Sequence, residues 1–153
     1  MKIGIMGGTF NPIHNAHLLI AEMAREEYGL DRVIFITDGN PPHKSANVTA
    51  KQRFEMTHIA IADNSAFDED DFEINRSEKS YTVNTLGYLK EKYPNDNLFF
   101  IIGEDSLNDF DKWYKPDKIL EMCSLLVFPR KSLKSLTETI KAVKEKMNGR
   151  IFP

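Results

Sequence analysis

Short apolar runs alternate with amphipathic stretches along the whole of this sequence. Ile3-Gly4-Ile5-Met6, Val33-Ile34-Phe35-Ile36, Leu98-Phe99-Phe100-Ile101-Ile102 and Leu125-Leu126-Val127-Phe128 are apolar throughout. Such runs read as strands buried on both faces rather than strands with one wet side. Between them, Leu18 to Tyr28 predicts a helix, with Leu19, Met23 and Ile20, Ala24 at helical spacing and Gly29 as its stop. A second helix opens near Thr49, where Thr49 and Gln52 have the spacing of a capping box ahead of Phe54, Met56, Ile59 and Ala60. Val83, Leu86 and Leu89 mark a helix over Thr82 to Tyr93, Asp117 to Met122 a short one, and Ile140, Val143 and Met147 a last one over Thr137 to Met147. Phe72-Glu73-Ile74 predicts a short strand after an acidic turn, and Asp38 to Val48 a loop rich in Pro, Asn, Gly and Ser. Strands interleaved with helices require a mostly parallel sheet with helices on both faces, a doubly wound, Rossmann-like α/β fold. No internal repeat, linker or low-complexity tract interrupts the 153 residues, so residues 1–153 are expected to form one domain.

Charge and composition then exclude whole classes of function. With 20 Lys and Arg against 23 Asp and Glu, the formal net charge is −3, which argues against coating a nucleic acid polymer but still permits a site for one small anion. No apolar run approaches the ~18 residues of a membrane span. Met1-Lys2 leads straight into a strand-like segment without the features of a signal peptide, so a cytoplasmic location is expected. Cys123 is the single cysteine, which excludes an intrachain disulfide, and its apolar neighbours mark it as a buried small hydrophobe. Asp68-Glu69-Asp70-Asp71 reads as solvated, mutually repelling carboxylates on a turn rather than a metal cluster.

In open parallel sheets, ligands sit beyond the C-terminal ends of the strands where the winding reverses. If the first strand and the Leu98 strand are neighbours at that reversal, the segments Gly7 to His17 and Gly103 to Ser106 meet there. The first is Gly7-Gly8-Thr9-Phe10-Asn11-Pro12-Ile13-His14-Asn15-Ala16-His17. Its glycines permit positive φ and close approach of a ligand, and the following helix aims N–H groups and a positive dipole end at the same point. His14 and His17 share a face of the first helical turn. The string is neither G-x-G-x-x-G nor a Walker A loop. On the residues alone it is either a phosphate-binding loop or a tight turn with two surface histidines capping a helix. A His-x-x-His metal site lacks further ligands nearby.

The full string, Gly7-Gly8-Thr9-Phe10-x-Pro12 with His14-x-x-His17, resembles the signature of the nucleotidyltransferases that carry an H/T-x-G-H element. Within that superfamily the chain is similar to the nicotinate (nicotinamide) mononucleotide adenylyltransferases from Lys2 to about Arg130. The other matching segments are Pro41-Pro42-His43-Lys44, Ser80-Tyr81-Thr82, Phe100-Ile101-Ile102-Gly103-x-Asp105-Ser106-Leu107 with Trp113-Tyr114, and Pro129-Arg130. The resemblance implies ATP binding by Gly7, Gly8, Thr9, Phe10, His14, His17, Gly103, Asp105 and Arg130. It implies catalytic roles for His17, His14, Lys44 and Arg130, and binding of the pyridine nucleotide by Lys44, Tyr81, Thr82, Trp113 and Tyr114. The chemistry of these residues suits those roles. Lys44 is a point charge for phosphate and Arg130 a planar fork. Asp105 can accept ribose hydroxyls, or it and Ser106 can cap a helix. Tyr81-Thr82 offers donors to a pyridine carboxylate, and Trp113 with Tyr114 a stacking surface.

The implied reaction is direct adenylyl transfer from ATP to nicotinate mononucleotide, with Mg²⁺ on the ATP phosphates rather than in a protein cage. Asn11 stands where the family usually has Asp, and Ala16 where it has Gly. The family's serine-rich I-S-S-T-x-x-R segment would begin beyond Ile151-Phe152-Pro153, so the domain is expected to lack it. The alternatives are a phosphopantetheine adenylyltransferase and a non-catalytic nucleotide-binding module. The sequence leaves the oligomeric state open, a homo-oligomer included.

Overall fold

In a computed structural model of the chain, the described residues are 1–8, 10, 13–39, 49–75, 81–129, 137–138, 140–141, 143–144 and 149–153. They divide into two units, Met1–Tyr81 and Thr82–Pro153. The first contains β1 (Lys2–Gly8), α1 (Asn15–Tyr28), β2 (Arg32–Thr37), α2 (Ala50–Ile61) and β3 (Phe67–Asp70). Its strands lie in the order β3-β2-β1, all parallel, with Gly7 opposite Ile36 and Gly8 opposite Thr37. The second contains α3 (Thr82–Lys92), β4 (Asn97–Gly103), α4 (Glu104–Asn108), a 3-10 turn (Phe110–Lys112), α5 (Pro116–Met122), β5 (Ser124–Phe128) and β6 (Ile151–Phe152). Its strands β4, β5 and β6 are again parallel, with Leu125 opposite Ile151. Residues 137, 138, 140, 141, 143 and 144 are helical, as the sequence predicts. Each unit is thus a βαβαβ half of Rossmann type.

The apolar runs bury as their composition requires. Ile3, Ile5, Val33, Ile34, Phe35, Ile36 and Leu125 are at most 2% exposed, and each such side chain contributes about 1.5–3 kcal/mol by leaving water. Cys123 lies in the same environment, and burial pushes its thiol pKa up to about 12, so it stays protonated. Gly29 closes α1 in the left-handed region, φ 63°, where it meets no steric cost, and its N–H donates to the Arg25 carbonyl. The Thr49 and Gln52 side chains cap α2 reciprocally at 3.1 Å each.

Three local expectations are corrected. The short strand is the acidic segment Phe67–Asp70, while Phe72 to Asn75 is a turn. Asp68 and Asp71 are exposed as expected, but Asp68 pairs with Arg32 at 3.1 Å, Glu69 with His58, and buried Asp70 accepts the Phe72 N–H through Oδ1 at 2.9 Å. Burial raises the Glu69 pKa, and the His58 hydrogen bond partly offsets it. The second correction concerns α2, whose buried face is Arg53, Thr57 and Ile61, whereas Ile59 is 75% exposed. In α1, likewise, Ala21 is the buried residue, and Leu19 and Met23 face solvent. The third is that α1 begins at Asn15, three residues earlier than its apolar spacing suggests.

Candidate active site

The C-terminal end of β1 carries the first group of candidate residues. Gly7 and Gly8 stay in the strand; the positive φ in this stretch falls instead on Phe10, at 49°. A non-glycine residue in that region is strained, and Phe10 is held there by burial at 2% exposure, its ring 6.0 Å from Phe35 and edge-on to His17 at 5.2 Å. The same ring lies close to Gly8: a Cβ on it would sit 3.0 Å from Phe10 Cε1, a tight approach.

His14 is the N-cap of α1 and His17 its third residue, and the two cap the helix reciprocally. The Ala16 N–H donates to His14 Nδ1 at 3.2 Å, and the His14 N–H donates to His17 Nδ1 at 3.1 Å. Both Nδ1 atoms therefore act as acceptors, so in the neutral rings the proton sits on Nε2. The ring centroids are 3.9 Å apart. Of the N–H groups expected to face a phosphate at the start of this helix, that of Ala16 already serves His14. Ala16 lies in the helix and not at positive φ, so the absence of glycine there causes no backbone strain.

The His17 pKa is lowered, first by burial and second by the neighbouring His14. Protonation would also remove the Nδ1 acceptor from the cap. A folded pKa below the ordinary 6.5 means that the unfolded chain takes up the proton first as pH falls. This group's contribution to stability is whole above 6.5 and is lost as pH falls from 6.5 toward the folded value. We expect the urea midpoint to drop across that window, and His17→Asn, which keeps an acceptor near the Nδ1 position but cannot titrate, to flatten the drop. Equal slopes in both proteins would contradict the assignment, as would ¹⁵N shifts showing a protonated Nδ1 at high pH.

The second unit carries the other described candidates. Gly103 ends β4 and is the N-cap of α4, whose first turn contains exposed Asp105 and buried Glu104. The N-cap position belongs to Gly103, with Asp105 and Ser106 inside the helix. Thr82 is the first residue of α3, and Tyr81, at the end of the first unit, is exposed. Trp113 is half-buried, with Phe110 at 5.0 Å and Phe100 at 6.1 Å between ring centroids. Tyr114 is exposed, with Lys115 Nζ 5.2 Å from its ring centroid. Thr9, Asn11, Pro12, Lys44 and Arg130 lie outside the described residues.

Residues 5–148 match the cytidylyltransferase-like family. A protein of Citrifermentans bemidjiense named "Probable nicotinate-nucleotide adenylyltransferase" is 47% identical over 92% of this chain and 67% of its own length. One of the same name from Geobacter sulfurreducens is 50% identical over 85% of this chain and 61% of its own length. The chain belongs to the nicotinate-nucleotide adenylyltransferase family. It spans about three-fifths to two-thirds of the length of these relatives. The solved Plasmodium falciparum nicotinic acid mononucleotide adenylyltransferase complexed with NaAD shares its fold, at TM-score 0.80 and 22% identity over 99% of this chain and 74% of that one. The α/β, Rossmann-like reading therefore holds, as does the family read from the Gly7 to His17 string. No helix among the described residues is long and apolar enough to cross a membrane.

For an adenylyltransferase of this family, two features were not legible beforehand. One is the reciprocal histidine cap, since histidine has no strong N-cap preference to announce it. The other is Arg53, whose side chain is among the largest that are fully buried. The signal for it was present as the i, i+4, i+8 spacing of Arg53, Thr57 and Ile61, but an arginine is not ordinarily counted into a core face.

Proposed function

We propose that this protein transfers the adenylyl group of ATP to nicotinate mononucleotide, giving deamido-NAD and pyrophosphate as a step of NAD biosynthesis in the cytoplasm. The observation that carries the reading is the histidine pair. With both Nδ1 atoms occupied by backbone donors, each ring has its Nε2–H left to give, just past the glycine-ended strand β1. Two preorganised Nε2–H donors there suit the oxygens of a polyphosphate under attack.

In the proposed reaction, a phosphate oxygen of the pyridine mononucleotide forms a bond to the α-phosphorus of ATP. The bond from that phosphorus to the bridging oxygen breaks, and pyrophosphate leaves with the electron pair. The nucleophile is already anionic, so no general base is required, and the catalytic work is alignment and stabilisation of charge. His17 and His14 donate to the phosphate oxygens, and Lys44 and Arg130 supply cations. Gly7, Gly8, Thr9 and Phe10 shape the backbone for ATP, and Gly103 with Asp105 serves its ribose. Tyr81, Thr82, Trp113 and Tyr114 hold the pyridine nucleotide. Mg²⁺ is proposed to arrive on the ATP phosphates, whose hard oxygens suit it and whose charge it neutralises. Residues 1–153 are proposed to act as a single nucleotidyltransferase domain.

The test is pyrophosphate release by the full protein with ATP and, in turn, nicotinate mononucleotide, nicotinamide mononucleotide and phosphopantetheine. Turnover is expected with nicotinate mononucleotide. Turnover with phosphopantetheine alone, or nucleotide binding without turnover on any of the three, would overturn the proposal.

A further inference from the structure

We propose that Arg53 is a positioning residue for the Gly8 to His17 segment, acting through the backbone of Asp38. The inference rests on the reading of that segment as the ATP-phosphate site.

Five contacts within the first unit carry it. The Arg53 side chain comes from the first turn of α2 and is 2% exposed. Its Nη1 donates to the Asp38 carbonyl at 2.6 Å. The Asp38 N–H in turn donates to the Gly8 carbonyl at 2.9 Å, so one residue's backbone joins α2 to the end of β1. Beyond it the chain is clamped on another side, because a Cβ on Gly39 would lie 2.1 Å from the Glu73 carbonyl oxygen. From Gly8 the contacts run on: its Cα hydrogens face the Phe10 ring, and Phe10 meets His17 edge-on.

A guanidinium is a costly choice for this place. Burial disfavours its charge, with the Asp38 carboxylate pulling in the opposite direction. An apolar side chain of similar length would fill the space without that cost, but it would leave the Asp38 carbonyl without this donor. What arginine adds is a rigid, always-charged fork of donors. The α2 end that presents it is itself fixed by the Thr49 and Gln52 caps, and the Thr57 hydroxyl donates to the Arg53 carbonyl at 3.0 Å. The donor is therefore preorganised, and a small shift of Asp38 would move the Gly8 carbonyl with it. Misplacement of reacting groups by about 1 Å can cost ~100-fold in rate.

The experiment compares Arg53→Met, which keeps most of the volume, with Arg53→Lys, which keeps a charge and a donor. Two readouts are taken on the full protein: pyrophosphate release, resolved into kcat and KM for ATP, and amide hydrogen exchange. For Arg53→Met we expect kcat to fall about 10–100-fold, with Arg53→Lys recovering part of the loss. We also expect the Asp38 amide, which donates to Gly8, to exchange at least about tenfold faster while the Ile3 and Ile5 amides of β1 keep their rates. An Arg53→Met protein with unchanged kcat and KM, or with Asp38, Ile3 and Ile5 accelerated equally, would show a merely structural arginine and overturn the proposal. If the wild-type protein releases no pyrophosphate, the reading of the site falls, and selective exchange at Asp38 still decides whether Arg53 positions the Gly8 carbonyl.

Discussion

Replacing His17 by alanine is expected to lower kcat for pyrophosphate release by about 10²–10³-fold, the usual effect of removing one preorganised donor to a developing oxyanion, while the fold survives. The side chain has two jobs on two nitrogens. Its Nδ1 accepts the His14 N–H at the start of α1, and its Nε2–H is proposed to donate to a ligand. Loss of the first costs about 1 kcal/mol, typical of an N-terminal cap and small against the ~5–15 kcal/mol of an ordinary domain. Loss of the second removes the proposed contact with the reacting phosphate. Conservative variants separate the two. His17→Asn retains an acceptor for the His14 N–H and should keep the melting temperature while remaining slow. His17→Gln reaches toward the Nε2 position and should recover rate at some cost in stability. An alanine variant of undiminished kcat would remove His17 from the catalytic assignment.

Replacing Phe35 by alanine is expected to cost about 3–5 kcal/mol of folding stability, the range for deleting a fully buried aromatic ring. Phe35 has no exposed surface, and its ring contacts Phe67 at 5.1 Å on one side and Phe10 at 6.0 Å on the other. The second contact gives the substitution a functional consequence. Phe10 sits at positive φ, a state that costs of order 1–3 kcal/mol and persists only where the surroundings enforce it. With Phe35 gone, Phe10 loses that wall, and the ring that borders His17 can relax. Chemical denaturation should show the lost stability, and assays well below the melting temperature should show a kcat loss beyond the unfolded fraction. Phe35→Leu, which refills most of the space, should recover both. A destabilised Phe35→Ala protein whose folded fraction keeps full kcat would show that Phe10 needs no support from this side.

Part of the site was plain in the residue string and part was not, for reasons that differ from residue to residue. Gly7-Gly8 and His14-x-x-His17 stood out through the resemblance of the full string to a family signature, since the residues alone fit a tight turn equally well. The start of α1 was misplaced by three residues, because His14 caps through a ring nitrogen rather than through a residue with strong cap preference. Positive φ was expected at the glycines, but among the described residues of this stretch it lies at Phe10, while Gly7 and Gly8 continue the strand. Within the acidic strand Phe67–Asp70, Asp68 and Glu69 find partners in Arg32 and His58, neither of which is near enough in sequence to reveal a pairing. Arg53 is the sharpest case: its role depends on a carbonyl fifteen positions away and on the carbonyl which that residue's own amide holds.

The sequence by itself determined the alternation of buried strands and helices, through apolar periodicity, and the family, through the resemblance of its motif string. Only the tertiary structure decided which nitrogen of each histidine faces the helix, which face of α2 is buried, and which residue carries backbone strain. Each of those depends on atoms brought together from distant parts of the chain, where close packing and the need to satisfy buried polar groups leave one arrangement.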